Sequence, residues 1–383
     1  MKKRINTTVD WTYIPCDMTD IYVGVTVNRG SLHDGHKKGI AHFLEHMLLC
    51  ISDKDILNKK YNIRGTTYFD KTTYIISAEN TFINFKDIID LMIKIITGVY
   101  LSENNIENVR KDILKEFYET ASTETIRFEK NFIKKSKITD YIPIGIEKDI
   151  LDINFEDLFQ FFNSAYNLKN MQLSILGGED SWRYYIKKKL NAIDNNYMGE
   201  DKNYDSIGIV NTKLFYINKD ANSRDGIYVY TNLYNLQKKA DSYNRNIENI
   251  ALYIIELAFS KKYTSNGLII EIIRYSKQNK ILRLKFQEKI YYDYFTELLL
   301  LELKYEIFEI FNIAMTSLME SLNTGFFGYQ YIKHIMDCKL YGEEISTIHC
   351  ITDFLELDRQ FVYKDVLDYI NMLRRRLWKI KKI

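Results

Sequence analysis

In the stretch GIAHFLEHMLL, residues 39–49, His42, Glu45 and His46 fall within five residues of a chain that has only six histidines. At about 100° per residue the three share an arc of roughly 100° on one helical face. Two imidazoles one turn apart can reach a single zinc ion, and the carboxylate beside them can hydrogen-bond a water in an open coordination position. The metal lowers the pKa of that water toward ~7 and the carboxylate takes its proton, a chemistry suited to hydrolysing an amide. The contending reading is a partly buried helix with coincidental polar residues. By composition such a spacing arises by chance roughly once in a hundred such chains or less.

A catalytic zinc needs a third protein ligand, commonly a carboxylate. Residues 103–119 read as a helix begun by Ser102 as N-cap, with an apolar face of Ile106, Val109, Ile113 and Phe117. Glu116 lies roughly 70° from the centre of that face, whereas Glu107, Asp112 and Glu119 lie about 110° or more away. Glu116 is therefore the carboxylate best placed to point inward. Glutamates on a helix flank are often merely solvated, so geometry alone leaves both readings open.

The elements that must position these groups follow from periodicity. DIYVGVTVN (20–28) alternates as a strand and ends in the turn RGS, and the helix of the trio spans about 36–50. Residues 66–79 read as two strands joined by a turn at Asp70-Lys71. A helix over 82–99, a helix over 154–166 and a strand over 171–178 complete a first unit. Residues 190–212 are polar, rich in Asn and Asp, and weakly periodic, as a linker would be. A strand then starts again at 226–233, followed by helices over 247–260 and 266–275, a strand over 280–286, and long helices to the end. The pattern predicts an α+β fold of two half-units with the same architecture: 1–189, a linker over 190–212, and a second half over 213–383.

Composition narrows the class. Apolar residues make up 46% of the 383 and charged residues 27%, a globular balance, and a net charge of +2 gives no global pull toward nucleic acid. Cys16, Cys50, Cys338 and Cys350 form no CxxC, so reduced thiols are expected. The basic N-terminus is followed by no apolar stretch, and runs such as FTELLLLEL are broken by Glu. A soluble, cytoplasmic protein without a transmembrane segment is the expectation.

RGSLHDGHKKGIAHFLEHMLL resembles the zinc helix region of the pitrilysin, insulysin and mitochondrial processing peptidase family, whose motif is HxxEH, in its small bacterial type of two half-units. VRKDILKEFYE (109–119) resembles the segment holding that family's third ligand, and the match falls on Glu116. Residues 141–178 resemble the end of its catalytic half, and 315–342 the long helix of its non-catalytic half. The resemblance implies two homologous half-units, each a mainly antiparallel sheet covered by helices, which with another pair close around a peptide. It also implies one zinc ion per chain held by His42, His46 and Glu116, with Glu45 as general base. Gly65, Thr66 and Thr67 stand where the family pairs its substrate as an added strand, although the family's Asn there has no match.

Other departures concern the supports. The family's acidic residue seven positions before the third ligand is Val109 here, and the gap from His46 to Glu116 is short. Arg274 aligns with a substrate-holding Arg, but Ile281 stands where a Tyr should follow seven residues later; an ordinary helix-end cation is the competing reading of Arg274. Some two-chain members divide the labour, so the chain reads as the zinc-bearing member of a heterodimer, with a homodimer as the competing arrangement. A zinc endopeptidase acting on small unfolded peptides or leader segments is thus the expectation. A weakly active scaffold or binding subunit is the rival, and a metal-free module a remoter one. Weaker signals have plainer readings: His33 and His36 as exposed turn residues, Cys338, His349 and Cys350 as inert, and the basic tail 374–383 as a solvated helix end.

Overall fold

The computed structural model describes residues 9–51, 61–121, 142–193, 227–233, 241–262, 268–276, 279–286, 306–321, 326–345, 354 and 356–378. The chain divides into two compact units. The described residues up to 193 and the stretch 326–342 form the first, and the remainder form the second.

The first unit is built on a five-stranded sheet of β1 (Asp10–Ile14), β2 (Asp20–Val27), β3 (Asn62–Thr67), β4 (Thr72–Glu79) and β5 (Met171–Leu176). The order is β1-β5-β2-β4-β3; β1 and β5 run parallel and the other pairs antiparallel. Alternation along β2 sends Ile21, Val23, Val25 and Val27 into the main core. That core is closed by α1 (Ile40–Leu48), α2 (Phe82–Ile96), α3 (Ile106–Ala121), α4 (Glu147–Asp152), α5 (Phe155–Ala165) and α6 (Arg183–Asn191). Caps fix two of these starts: the Thr81 hydroxyl accepts from Asn84 N at 3.3 Å, and Asn154 and Asp157 form a reciprocal capping box. Ser102 starts a short 3-10 turn, Glu103–Asn105, ahead of α3 but makes no side-chain cap.

The second unit holds β6 (Ile227–Asn232), β7 (Leu268–Ser276) and β8 (Asn279–Phe286) in the order β6-β8-β7, all antiparallel. It also holds α7 (Ser242–Lys262) and α8 (Glu306–Ser321). Next in the chain comes α9 (Phe326–Tyr341), which belongs to the first unit, and α10 (Arg359–Trp378) returns to the second. Ile254, Phe259, Leu284, Phe311 and Val366 lie in this unit's own core.

Three differences from the sequence reading have physical causes. Residues 266–275, read as a helix, contain strand β7. The run LIIEIIR fits either period, but its β-branched residues suit a pleated surface, and Glu271 faces Arg283 across the β7–β8 pair and ion-pairs with it. Helix α9, assigned by sequence to the second half, covers the outer face of the first sheet. Lys71 pairs with Asp337, Tyr341 OH donates to Asp70 Oδ2 at 2.9 Å, and Lys339 Nζ meets Asp10 Oδ2 at 3.2 Å. With both faces covered, seven of the eight residues of β2 are buried. Strand β1 has no counterpart in the periodicity reading. Of the predicted linker, 194–212 lies outside the described residues.

Candidate metal centre

Helix α1 is held at its N-terminus by backbone and by one buried acid. Gly39 takes the left-handed conformation (φ 94°), and its Cα lies against Gly145 (φ 83°); a Cβ on Gly145 would stand 2.6 Å from that Cα. Asp34 Oδ2 accepts from Gly39 N at 2.6 Å and Oδ1 from Ala41 N at 3.1 Å, satisfying amides that a helix start leaves open. Burial pushes the Asp34 carboxyl up to about 8, against those hydrogen bonds. Ile40, Phe43, Leu44, Met47 and Leu48 all enter the core. Their anchoring turns His42 and Glu45 inward, while His46 stays half-buried.

Helix α3 brings Glu116 to the two rings. Its face is fixed by buried Ile106, Val109 and Ile113, and its height by Arg110. The Arg110 guanidinium donates to the carbonyls of Ile150 and Ile153, the latter at 2.8 Å, and stands 5.4 Å over the Phe43 ring on α1.

The resulting triangle is small. His42 Nε2 and His46 Nε2 are 3.1 Å apart, and Glu116 Oε2 lies 3.7 Å from the first and 3.6 Å from the second. Zinc bonds of about 2.0–2.1 Å in tetrahedral directions separate ligand atoms by about 3.3–3.4 Å, so the triangle fits one face of such a site. Among the described residues this is the only group of three or more His, Cys, Asp or Glu side chains so placed. Burial, then the neighbouring His46, holds His42 down at about 4, keeping its ring neutral as a ligand must be. Burial also opposes charge on His46, but Glu116 and the Glu45 charge outweigh it and leave that ring above its ordinary value. Glu116 is lowered, chiefly by His46. The Nδ1 atom of His42 is buried with no hydrogen-bond partner among the described residues, so its orientation rests on packing.

Glu45 stands beside this triangle. Its Oε2 accepts from Thr67 Oγ1 at 3.2 Å, and burial pushes its carboxyl up to about 7. Gly65 makes the room: a Cβ there would stand 2.8 Å from Glu45 Cδ and 2.8 Å from Leu49 Cδ1. Thr66 is the next residue of the same strand, and among the described residues β3 is an edge strand, paired only with β4.

The other expectations are placed as follows. Arg274 lies on a strand, not at a helix end, and pairs with Glu343, which also pairs with Arg245 at 3.2 Å. Ile281 is buried on β8. His33, expected in an exposed turn, is half-buried, its Nδ1 accepting from Gly30 N at 3.0 Å; His36 is exposed. Cys338 is buried on α9 against His334, with Sγ 3.4 Å from Nε2, while His349 and Cys350 lie outside the described residues, as do 379–383. Among the described residues no helix is long and apolar enough to cross a membrane. Sequence reasoning missed Asp34, Arg110 and the Gly39–Gly145 contact. The first had a signal, an acid seven residues before Ala41 at the head of an apolar helix; the others depend on residues far apart in the chain.

Residues 18–137 match the family model described as insulinase, peptidase family M16. The chain is 22% identical over 238 residues to the probable zinc protease PqqL of Escherichia coli, covering 57% of this chain but only 25% of that protein. In structure it is similar to the first half of the periplasmic protease PqqL from Escherichia coli (TM-score 0.71, 14% identity, 97% of this chain and 88% of that one). It is also similar to a peptidase M16 inactive domain from Pseudomonas fluorescens (TM-score 0.72, 12% identity, 96% and 92%). At such identities these structures establish the α+β fold alone. The residues matched by that family model include both histidines, Glu45 and Glu116.

Proposed function

We propose that this chain is a zinc-dependent endopeptidase acting on small unfolded peptides or leader segments, as the zinc-bearing member of a two-chain assembly. The single observation that carries the reading is the His42–His46–Glu116 triangle with the Glu45 carboxyl beside it. Bound zinc would supply Lewis acidity toward a water molecule and the scissile carbonyl. Glu45, poised near neutrality by burial, takes the proton from the attacking water and returns it to the departing amine. Thr67 holds one oxygen of that carboxylate and so its direction. The edge of β3, Gly65 to Thr67, offers backbone groups to an extended peptide, a mode that favours any unfolded chain. A reducing, cytoplasmic compartment is part of the same proposal, from the sparse and scattered cysteines of the sequence.

A partner chain is proposed because the second unit offers a weak substrate cation. Arg274 is engaged by Glu343, and Ile281 has no hydroxyl to stabilise charge. A heterologous chain with an Arg and Tyr would complete the site; a second copy would not add the Tyr. The same facts, with a buried His42 Nδ1 that has no hydrogen-bond partner among the described residues, favour a second reading: a scaffold or binding subunit with little turnover. Glu45→Gln tests the first reading. It should keep stoichiometric zinc and abolish peptide hydrolysis, measured by the chain alone and with a candidate partner. Unchanged hydrolysis in that variant would remove Glu45 from the mechanism, and a parent that binds zinc but never cleaves would leave the scaffold.

A further inference from the structure

We propose that the edge of β3 selects peptides bearing Asp or Glu within about two residues of the scissile bond, through Arg64 and Lys333; this rests on the strand-pairing reading above. Directly paired residues share a sheet face, so Gly65, opposite Tyr74, lies on the Glu45 side, and Arg64, opposite Ile75, on the α9 side. On that second side the Arg64 guanidinium stands 4.8 Å over the Tyr329 ring, and Lys333, one turn along α9, stands 5.7 Å from the same ring.

Neither cation has an acidic partner among the described residues. Arg64 donates only to the neutral Asn62 Oδ1, at 3.2 Å, and Asp337, the acid one turn beyond Lys333, is engaged by Lys71. Two cations without an acidic partner among the described residues flank one aromatic ring at the rim of the sheet, a single residue from the glycine that touches Glu45. A peptide added to β3 sends alternate side chains to the two faces, at about 3.3 Å per residue. The side chain beside Gly65 faces Glu45, and its neighbour faces Arg64, Tyr329 and Lys333. A carboxylate at that neighbouring position gains two charge contacts where an amide gains none and an ammonium is repelled.

The test uses the zinc-loaded full chain and fluorogenic peptides that differ only by Glu, Gln or Lys at one position near the cut. At about 50 mM salt the Glu peptide should exceed the Gln peptide in kcat/KM by about three- to tenfold, with Lys lowest, and the ratio should shrink near about 0.5 M. The ratio should fall to about one in the double variant Arg64→Met, Lys333→Met. A distant control, Lys188→Met, should retain it. A merely structural role for Arg64 would lower all peptides together and leave the ratio. Equal Glu and Gln rates in the parent, a ratio that survives the double variant, or an equal loss in the control would each overturn the inference. If no peptide is cut, the hydrolytic reading fails separately. Fluorescence anisotropy of the same peptides on zinc-loaded Glu45→Gln then decides the preference, and absence of binding there overturns it as well.

Discussion

Gly65→Ala isolates the positioning of the general base from the metal. A methyl carbon at residue 65 would sit 2.8 Å from Glu45 Cδ, and apolar contact needs about 3.5 Å or more. The carboxyl must therefore retreat by at least about 0.7 Å, and further at Oε1, which lies closer still to the methyl, or β3 must swing outward by as much. Leu49 Cδ1, also 2.8 Å from the methyl, blocks one direction of retreat. A displacement near 1 Å at a reacting group can cost ~10²-fold, so kcat/KM should fall by about ten- to a hundredfold. The metal ligands lie on α1 and α3, not on β3, so zinc content should stay at the parental value. Overpacking should lower stability by about 1–3 kcal/mol. The assay pairs metal analysis with peptide turnover and urea unfolding on one preparation. Turnover within twofold of the parent at full zinc occupancy would refute the claim that this glycine sets the place of Glu45.

Other outcomes follow from the same geometry. Glu116→Ala leaves two imidazoles and should weaken zinc binding by at least about a hundredfold in chelator competition; an unchanged affinity would take Glu116 out of the ligand set. Protonated imidazole cannot bind metal, and only His46 has a raised value, so zinc affinity should fall by about tenfold per pH unit below it. A second proton should enter only as pH nears about 4, the value of His42, and a slope of two protons between about pH 7 and 5.5 would contradict this. Arg110→Met should cost about 2–3 kcal/mol in unfolding and weaken zinc binding too, because it frees α3 from the carbonyls of residues 150 and 153; Arg110→Lys should recover part of both.

What was legible in the sequence was local. The HxxEH spacing is fixed by one helix, and the inward direction of Glu116 by the apolar stripe of another, so both could be read from periods of 3.6. That the two helices meet depends on Arg110 and on the turn at Gly145, contacts between residues 40 or more positions apart or more than a hundred, and no pattern in either segment announces them. The strand at 268–276 failed for the opposite reason: a short apolar run carries too little period to separate helix from strand, and its pairing with β8 decides. Gly65 was placed by resemblance to a substrate strand, whereas what the structure shows of it is its close approach to Glu45.

Helix α9 has a consequence for synthesis. The first sheet is finished in sequence at Leu176, yet Tyr22, Ile75 and Leu176, buried residues outside the main core, belong to a molecule in which α9 ends only at Tyr341. At about 5–20 residues per second, a ribosome takes on the order of ten seconds or more to supply that helix. Through that interval the nascent chain carries an uncovered β face, and a holding chaperone or a provisional mate is the natural guard against its sticking to others.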